Sequence, residues 1–207
     1  MNTRMRKWMV MMVVVLCPSC VALKGTKHTY MQGAPVDVAG AGVAMGFRPE
    51  GTRSGSVMVT AMVVGGGMAT FDGPFRWRVE AVGREGKHEL LVVHRIRTKT
   101  EKTGRDEWFP ESELGRSAAF RKHPEQPGMN RARYDIPGLL KVEPEKDGRL
   151  DVWVDLSLKV EGKWQRRTVR FKLDPGVKSQ NEFIFLPVEV ARNIGKPLAD
   201  QGDSMWD

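Results

Sequence analysis

The side chains best suited to chemistry in this 207-residue chain are four histidines, a few spaced aspartates, and tryptophans interleaved with arginines. His88 and His94 fall six residues apart on one predicted strand, roughly 20 Å at about 3.3 Å per residue, too far to share a metal ion. His94 reads as a half-buried core residue, and His88 and His123 as exposed loop residues. Asp151 and Asp155 share a strand face with backbones about 13 Å apart, wider than the roughly 5 to 9.5 Å separating the carboxylates of glycosidases. Strand alternation accounts for them. Gly65-Gly66-Gly67 lacks the Lys and Ser/Thr of a phosphate-binding loop and reads as a bend between strands. No catalytic residue, metal site or cofactor emerges, so the chain reads as a binding or structural module rather than an enzyme.

Two groups of residues form a candidate binding surface. Trp108 and Phe109 precede Arg116, Arg121, Lys122 and His123 in a charged stretch, Lys99 to Arg133, with no strand period. Structureless segments beyond about 15 residues inside a compact domain are usually functional or disordered. The second group is the stripe Arg166, Arg170 and Lys172 with Trp153 and Trp164. It can face an acidic glycan or lipid, although cations over indoles also cover ordinary sheet faces.

The N-terminus carries a different message. Arg4, Arg6 and Lys7 precede the nine-residue apolar run Trp8 to Leu16, and Cys17-Pro18-Ser19-Cys20 follows. Cations, a run too short to span a bilayer, and small residues make the three-part plan of an export signal. The segment resembles bacterial lipoprotein signals, in which a cysteine follows a short apolar and small-residue box. That resemblance covers only residues 1 to 20 and implies lipidation at Cys20. It places the mature protein on the cell envelope, in the outer membrane if the cell has one, since Val21 stands where an inner-membrane retention Asp would be. Cys17 and Pro18 depart from the usual Leu then Ala or Ser. The competing expectation is cleavage after Ala22, giving a periplasmic or secreted protein.

Cys17 and Cys20 are the only cysteines, so the folded domain has no disulfide framework or thiolate metal site. Losing Arg4, Arg6 and Lys7 with a leader that contains no acid lowers the formal charge from +8 to +5. That balance favours acidic partners; for an exported chain nucleic acid ranks last. Gly202-Asp203-Ser204 resembles the Gly-Asp-Ser of a large serine esterase family, but no histidine follows it and it lies three residues from the end.

The elements that must position these residues read as strands. Hydrophobic residues make up 41% and charged residues 28% of the chain, an ordinary globular balance, and this length buries roughly 70% of its unfolded surface. Val57 to Val64 is apolar and β-branched; Phe75, Trp77, Val79 and Ala81 alternate with Arg76, Arg78 and Glu80; Leu90 to Val93 suits a central strand. Leu150 to Val160 alternates without a fault, and Trp164 to Leu173 resumes after Glu161-Gly162. A two-residue turn there predicts a hairpin with Val152 facing Phe171 and Val154 facing Val169 inside, and Asp151 facing Lys172 and Trp153 facing Arg170 outside. Asn181 to Val190 supplies a last strand, and a short helix is expected near Pro110 to Phe120.

The expected architecture is all-β: an antiparallel β-sandwich of seven or eight strands, immunoglobulin-like in layout but without the Cys and Trp hallmarks of that fold. Residues 1 to 19 are the signal, 20 to 52 a tether with a weak first strand, 53 to 192 the domain with its long loop 99 to 133, and 193 to 207 a tail. The function this implies is a lipid-anchored envelope module that binds an envelope protein or polysaccharide. The alternative is a hydrolase of cell-wall or extracellular polymer.

Overall fold

The computed structural model describes the backbone of residues 20–58 and 64–185 and the side chains of residues 26–51 and 70–179. The export signal, the tail with Gly202-Asp203-Ser204, and the side chain of Cys20 lie outside those residues.

The chain is all-β. Its strands are β1 (Cys20–Gln32), β2 (Val36–Val38), β3 (Ala41–Met58), β4 (Val64–Arg84), β5 (His88–Thr100), β6 (Asp106–Trp108), β7 (Ser117–Ala119), β8 (Arg121–Lys122), β9 (Met129–Asp135), β10 (Leu150–Val160) and β11 (Lys163–Phe185). All eleven belong to one sheet with the path β2-β3-β4-β1-β11-β10-β5-β6; β7 pairs with β5, and β9 joins β4 to β8.

The sheet is mixed rather than wholly antiparallel, because β1 runs parallel to β4 from Cys20↔Val64 to Lys27↔Phe71 while pairing antiparallel with β11. Residues 20 to 52, expected as a tether, therefore hold β1, β2 and much of β3. Their glycines and alanines hide the pattern: Ala41, Val43, Met45 and Phe47 do alternate inward on β3, but the small residues between them carry little polar contrast. Gly65-Gly66-Gly67 lies inside β4 rather than bending between strands, and β11 runs unbroken to Phe185 where a separate last strand was expected.

The hairpin agrees with its predicted register at every position from Leu150↔Leu173 to Val160↔Lys163. Glu161 and Gly162 have φ of 48° and 77°, the left-handed pair that a two-residue turn of matching twist requires. Val152, Val154, Val169 and Phe171 are buried, so turn chemistry and side-chain period specify the same pairing.

The stretch 99 to 133 is not a loop. It contains β6, β7, β8 and the start of β9, with a 3-10 turn at Glu111–Glu113 in place of the expected helix. Strands of two or three residues are too short for alternation to show. β9 lies against β5 and β7 as well as β4, so the sheet curves back on itself around one core. Trp77 sits in that core with the Phe109 ring edge-on at 5.7 Å, and Tyr30, Phe47 and Phe75 form a second aromatic group with centroids 5.9 to 6.5 Å apart.

Two histidines expected on the surface are buried. His88 directs Nε2 at the Ala39 carbonyl 3.1 Å away and stacks on Phe120; a methyl group at Gly83 would come within 2.3 Å of its ring. His123 Nδ1 accepts hydrogen bonds from the Glu125 and Gln126 amides, both 3.1 Å, pinning the turn after β8. His88 meets partners far away in sequence, whereas His123 is held by a tight local turn.

Candidate functional site

The structure divides the predicted binding surface between two outer faces, and they differ in electrostatics. On β6-β5-β10-β11 the register places Trp108, Arg97, Trp153 and Arg170 in one row across four strands, with Asp106, Lys99, Asp151 and Lys172 in the next. The Arg97 guanidinium lies 5.7 Å from the Trp108 centroid and 5.3 Å from that of Trp153, whose ring also meets Arg170 at 4.9 Å.

Arg97, Arg166 and Arg170 on this face are each paired with an aspartate, while Lys99 and Lys172 add positive charge beside them. Arg97 makes a two-pronged contact with Asp106 at 2.6 and 2.7 Å, Arg166 binds Asp155, and Arg170 reaches Asp151 at 3.0 Å. Arg97 and Arg166 accordingly hold the Asp106 and Asp155 carboxyls below the usual carboxylate range. Trp153 is flanked by guanidinium groups, which leaves Trp108 and Trp164 as the exposed rings. Cross-strand pairs of this kind stabilise a sheet, and they engage Arg166, Arg170 and Trp153 of the predicted surface, while Lys172 and Trp164 stay exposed. Phe109 belongs to neither face: its ring packs on Trp77.

The opposite face, on β3-β4-β9-β8, is arginine-rich. Its ladder sets Arg48 beside Arg76, Arg78 beside Asp135, Glu80 beside Arg133, and Arg131 beside Arg121. Two clefts abut there, of about 520 and 560 Å³, sharing Arg133 and Asp135. Arg48, Arg76 and Arg78 line the first, and Arg116, Arg121, Lys122 and Arg131 the second. The fold thus brings the predicted Arg116, Arg121 and Lys122 together with Arg76 and Arg78, which period reading had assigned to alternating strand positions, with Arg48 of the expected tether, and with Arg131 and Arg133 from the end of the patternless stretch.

Acid is scarce on this face. Glu50 lies 3.1 Å from Arg76 and 3.8 Å from Arg48, and Glu80 lies 3.4 Å from Arg133 and 3.9 Å from Arg131. Among the described residues no acid pairs with Arg116, Arg121 or Lys122. Arg78 is only 3% exposed, and burial, then the neighbouring Arg133, press its guanidinium below its ordinary value. Glu80 and Asp135 oppose that shift and supply part of the negative charge that cations grouped this closely require.

One further constellation escaped sequence reading. The β5-β10 register slips between Asp155 and Leu156, which leaves His94 as the extra residue of a β-bulge. Its Nε2 lies 2.8 Å from Ser157 Oγ. Bulges often re-aim side chains beside functional sites, and a histidine against a hydroxyl is the first requirement of an activated serine. The nearby Asp155 is committed to Arg166, and Ser157 is buried. No cluster of three His, Cys, Asp or Glu able to hold a metal ion occurs among the described residues.

No protein-family model, curated protein or solved structure matches this chain.

Proposed function

We propose that the protein is an exported, lipid-anchored envelope module that binds an acidic envelope partner, polysaccharide or protein, without chemistry of its own. The carrying observation is the arginine-lined double cleft of β3, β4, β8 and β9, to which Arg116, Arg121 and Lys122 contribute. A sandwich-like closure, with β9 folded over toward β5 and β7, fits a rigid platform on which long cationic side chains are held in fixed rows. The lipid would attach at Cys20, in a bacterial outer membrane if there is one. Since β1 begins at that residue, the anchor would hold the sheet close to the bilayer, with the strands themselves in place of a spacer.

The test is in-cell crosslinking and capture through a C-terminal tag, comparing wild type with Cys20→Ala and with Arg121→Glu/Lys122→Glu. Wild type should partition into detergent and bring down a defined envelope partner. Cys20→Ala should lose the partitioning, and the double variant should lose the partner while staying folded. A wild-type protein that is aqueous, cleaved after Ala22 and alone would overturn the reading.

The second reading, a hydrolase of cell-wall or extracellular polymer, is favoured by the Ser157–His94 contact alone. It expects polymer cleavage that disappears in Ser157→Ala with the fold intact; equal turnover, or none in either protein, removes it.

A further inference from the structure

We infer that the double cleft is a binding groove for a linear acidic polysaccharide whose carboxylate or phosphate groups recur along the chain. This deepens the binding-module reading above and rests on it.

Three observations carry the inference. The cations are repeated: Arg48 and Arg76 around Glu50 at one end, Arg133 with the buried Arg78 in the middle, and Arg131, which with Arg133 shares Glu80, beside Arg121, Lys122 and Arg116 at the other. A single small anion would occupy one cleft; two abutting clefts with a shared wall suit a polymer. Seven of these eight cations are arginines, whose planar forks match paired oxygens in a way that a lysine ammonium does not.

The aromatic lining points the same way. Trp77 and Tyr134 are the aromatic residues among the lining groups, and both are buried, at 2% and 4% exposure. Single-stranded nucleic acids gain roughly 1 to 3 kcal/mol per base from exposed rings, and this groove offers none. Its recognition must come from charge along the ligand backbone. The exposed rings Trp108 and Trp164 belong to strands of the other face, where Arg97, Arg166 and Arg170 are paired with aspartates.

Asp135 supplies the internal control. It is exposed, lines both clefts, and sits opposite Arg78 in the ladder. Its carboxylate occupies the kind of position that a ligand carboxylate would take, so it competes with the ligand. Removing its charge should tighten binding, whereas a residue that merely supports the fold would weaken it when replaced.

The experiment is calorimetric titration of the full chain with polygalacturonate, with polyphosphate, with uncharged dextran of matched length and with duplex DNA. Polygalacturonate should bind, with an affinity that falls as salt rises, and dextran should not. Polyphosphate binding alongside polygalacturonate would show that oxyanion spacing rather than sugar is read; polygalacturonate alone would show that the sugar is read too. Arg121→Glu/Lys122→Glu should weaken binding at least tenfold, Asp135→Asn should strengthen it several-fold, and Trp108→Ala should leave it unchanged. Thermal unfolding of each variant separates loss of binding from loss of fold. Duplex DNA binding as tightly as polygalacturonate would overturn the glycan assignment, as would a double variant that binds like wild type. If polygalacturonate fails while the in-cell capture still yields a protein partner through the same residues, this inference falls and the binding-module reading stands; failure of both removes both.

Discussion

Asp155 shows how a single contact on the β5-β10-β11 face sets a pH dependence. Arg166 hydrogen-bonds its carboxyl and holds it below the usual range. The folded state thus binds its proton less readily than the unfolded chain. The pair adds stability above the unfolded-state value of about 3.9, and that contribution is lost as acidification passes through the lower folded value. Because Arg166 is largely exposed, solvent screens the pair and the gain is small. Asp155→Asn should therefore lower the urea midpoint slightly at neutral pH, and the difference from wild type should shrink toward zero in strong acid. Tyr30 and Tyr134, the chain's two tyrosines, behave oppositely. Burial pushes both phenols up, with Asp147 and Asp72 adding to the effect at Tyr30, while the Arg116 and Gly115 amides offset part of it at Tyr134. Ultraviolet titration should show both phenols ionising above the ordinary value of about 10, with Tyr30 the more resistant of the two. Individual burial of this kind was not legible beforehand for His88 or His123. Ala39 and Phe120 become neighbours of His88 only when the sheet forms, and the turn that His123 caps carries no hydrophobic period to mark it.

Among the elements, the β10-β11 hairpin was readable to the residue. Eleven alternating positions and a turn that tolerates positive φ give independent statements of one register, and a slip by one would set apolar side chains against charged ones. Glu161 is the weak point, since a non-glycine residue at φ 48° bears a cost that asparagine largely escapes. Glu161→Asn should stabilise the protein by up to about 1 kcal/mol, seen as a higher thermal midpoint. The short strands between Lys99 and Arg133 were not readable, because Ser117–Ala119 and Arg121–Lys122 contain too few residues to show any period. β9 was missed for a different reason. Arg131, Arg133 and Asp135 face outward, while its inward positions Ala132 and Tyr134 offer little apolar contrast. The arginine face was accordingly visible in sequence only at Arg116, Arg121 and Lys122, one margin of the groove. Its centre came from strands whose cations looked like ordinary solvent-facing positions, yet Arg78 and Glu80 are buried.

Across the whole molecule, one sheet presents two unlike outer faces, one with aspartate-paired arginines and one with arginine-lined clefts. The β5-β10-β11 region carries paired charges outside and fully buried Val, Leu and Ile inside, whereas β2 and β6 end the hydrogen-bonded path with three residues each. Native-state hydrogen exchange should therefore be slowest on β10 and the adjoining parts of β5 and β11, and fastest on β2 and β6. Equal protection throughout would show that the sheet opens only as a unit. The placement of β1 between β4 and β11 has a kinetic consequence. Gln32 pairs with Leu173, so the opening strand takes one neighbour from the far end of the chain. Contacts of such long range slow folding, and hairpins such as β3-β4 and β10-β11 can form well before β1 has both of its neighbours. A chain threaded N-terminus first through a narrow passage would therefore carry its first strand across with that partner still behind it, and the sheet would close only after nearly the whole polypeptide had arrived.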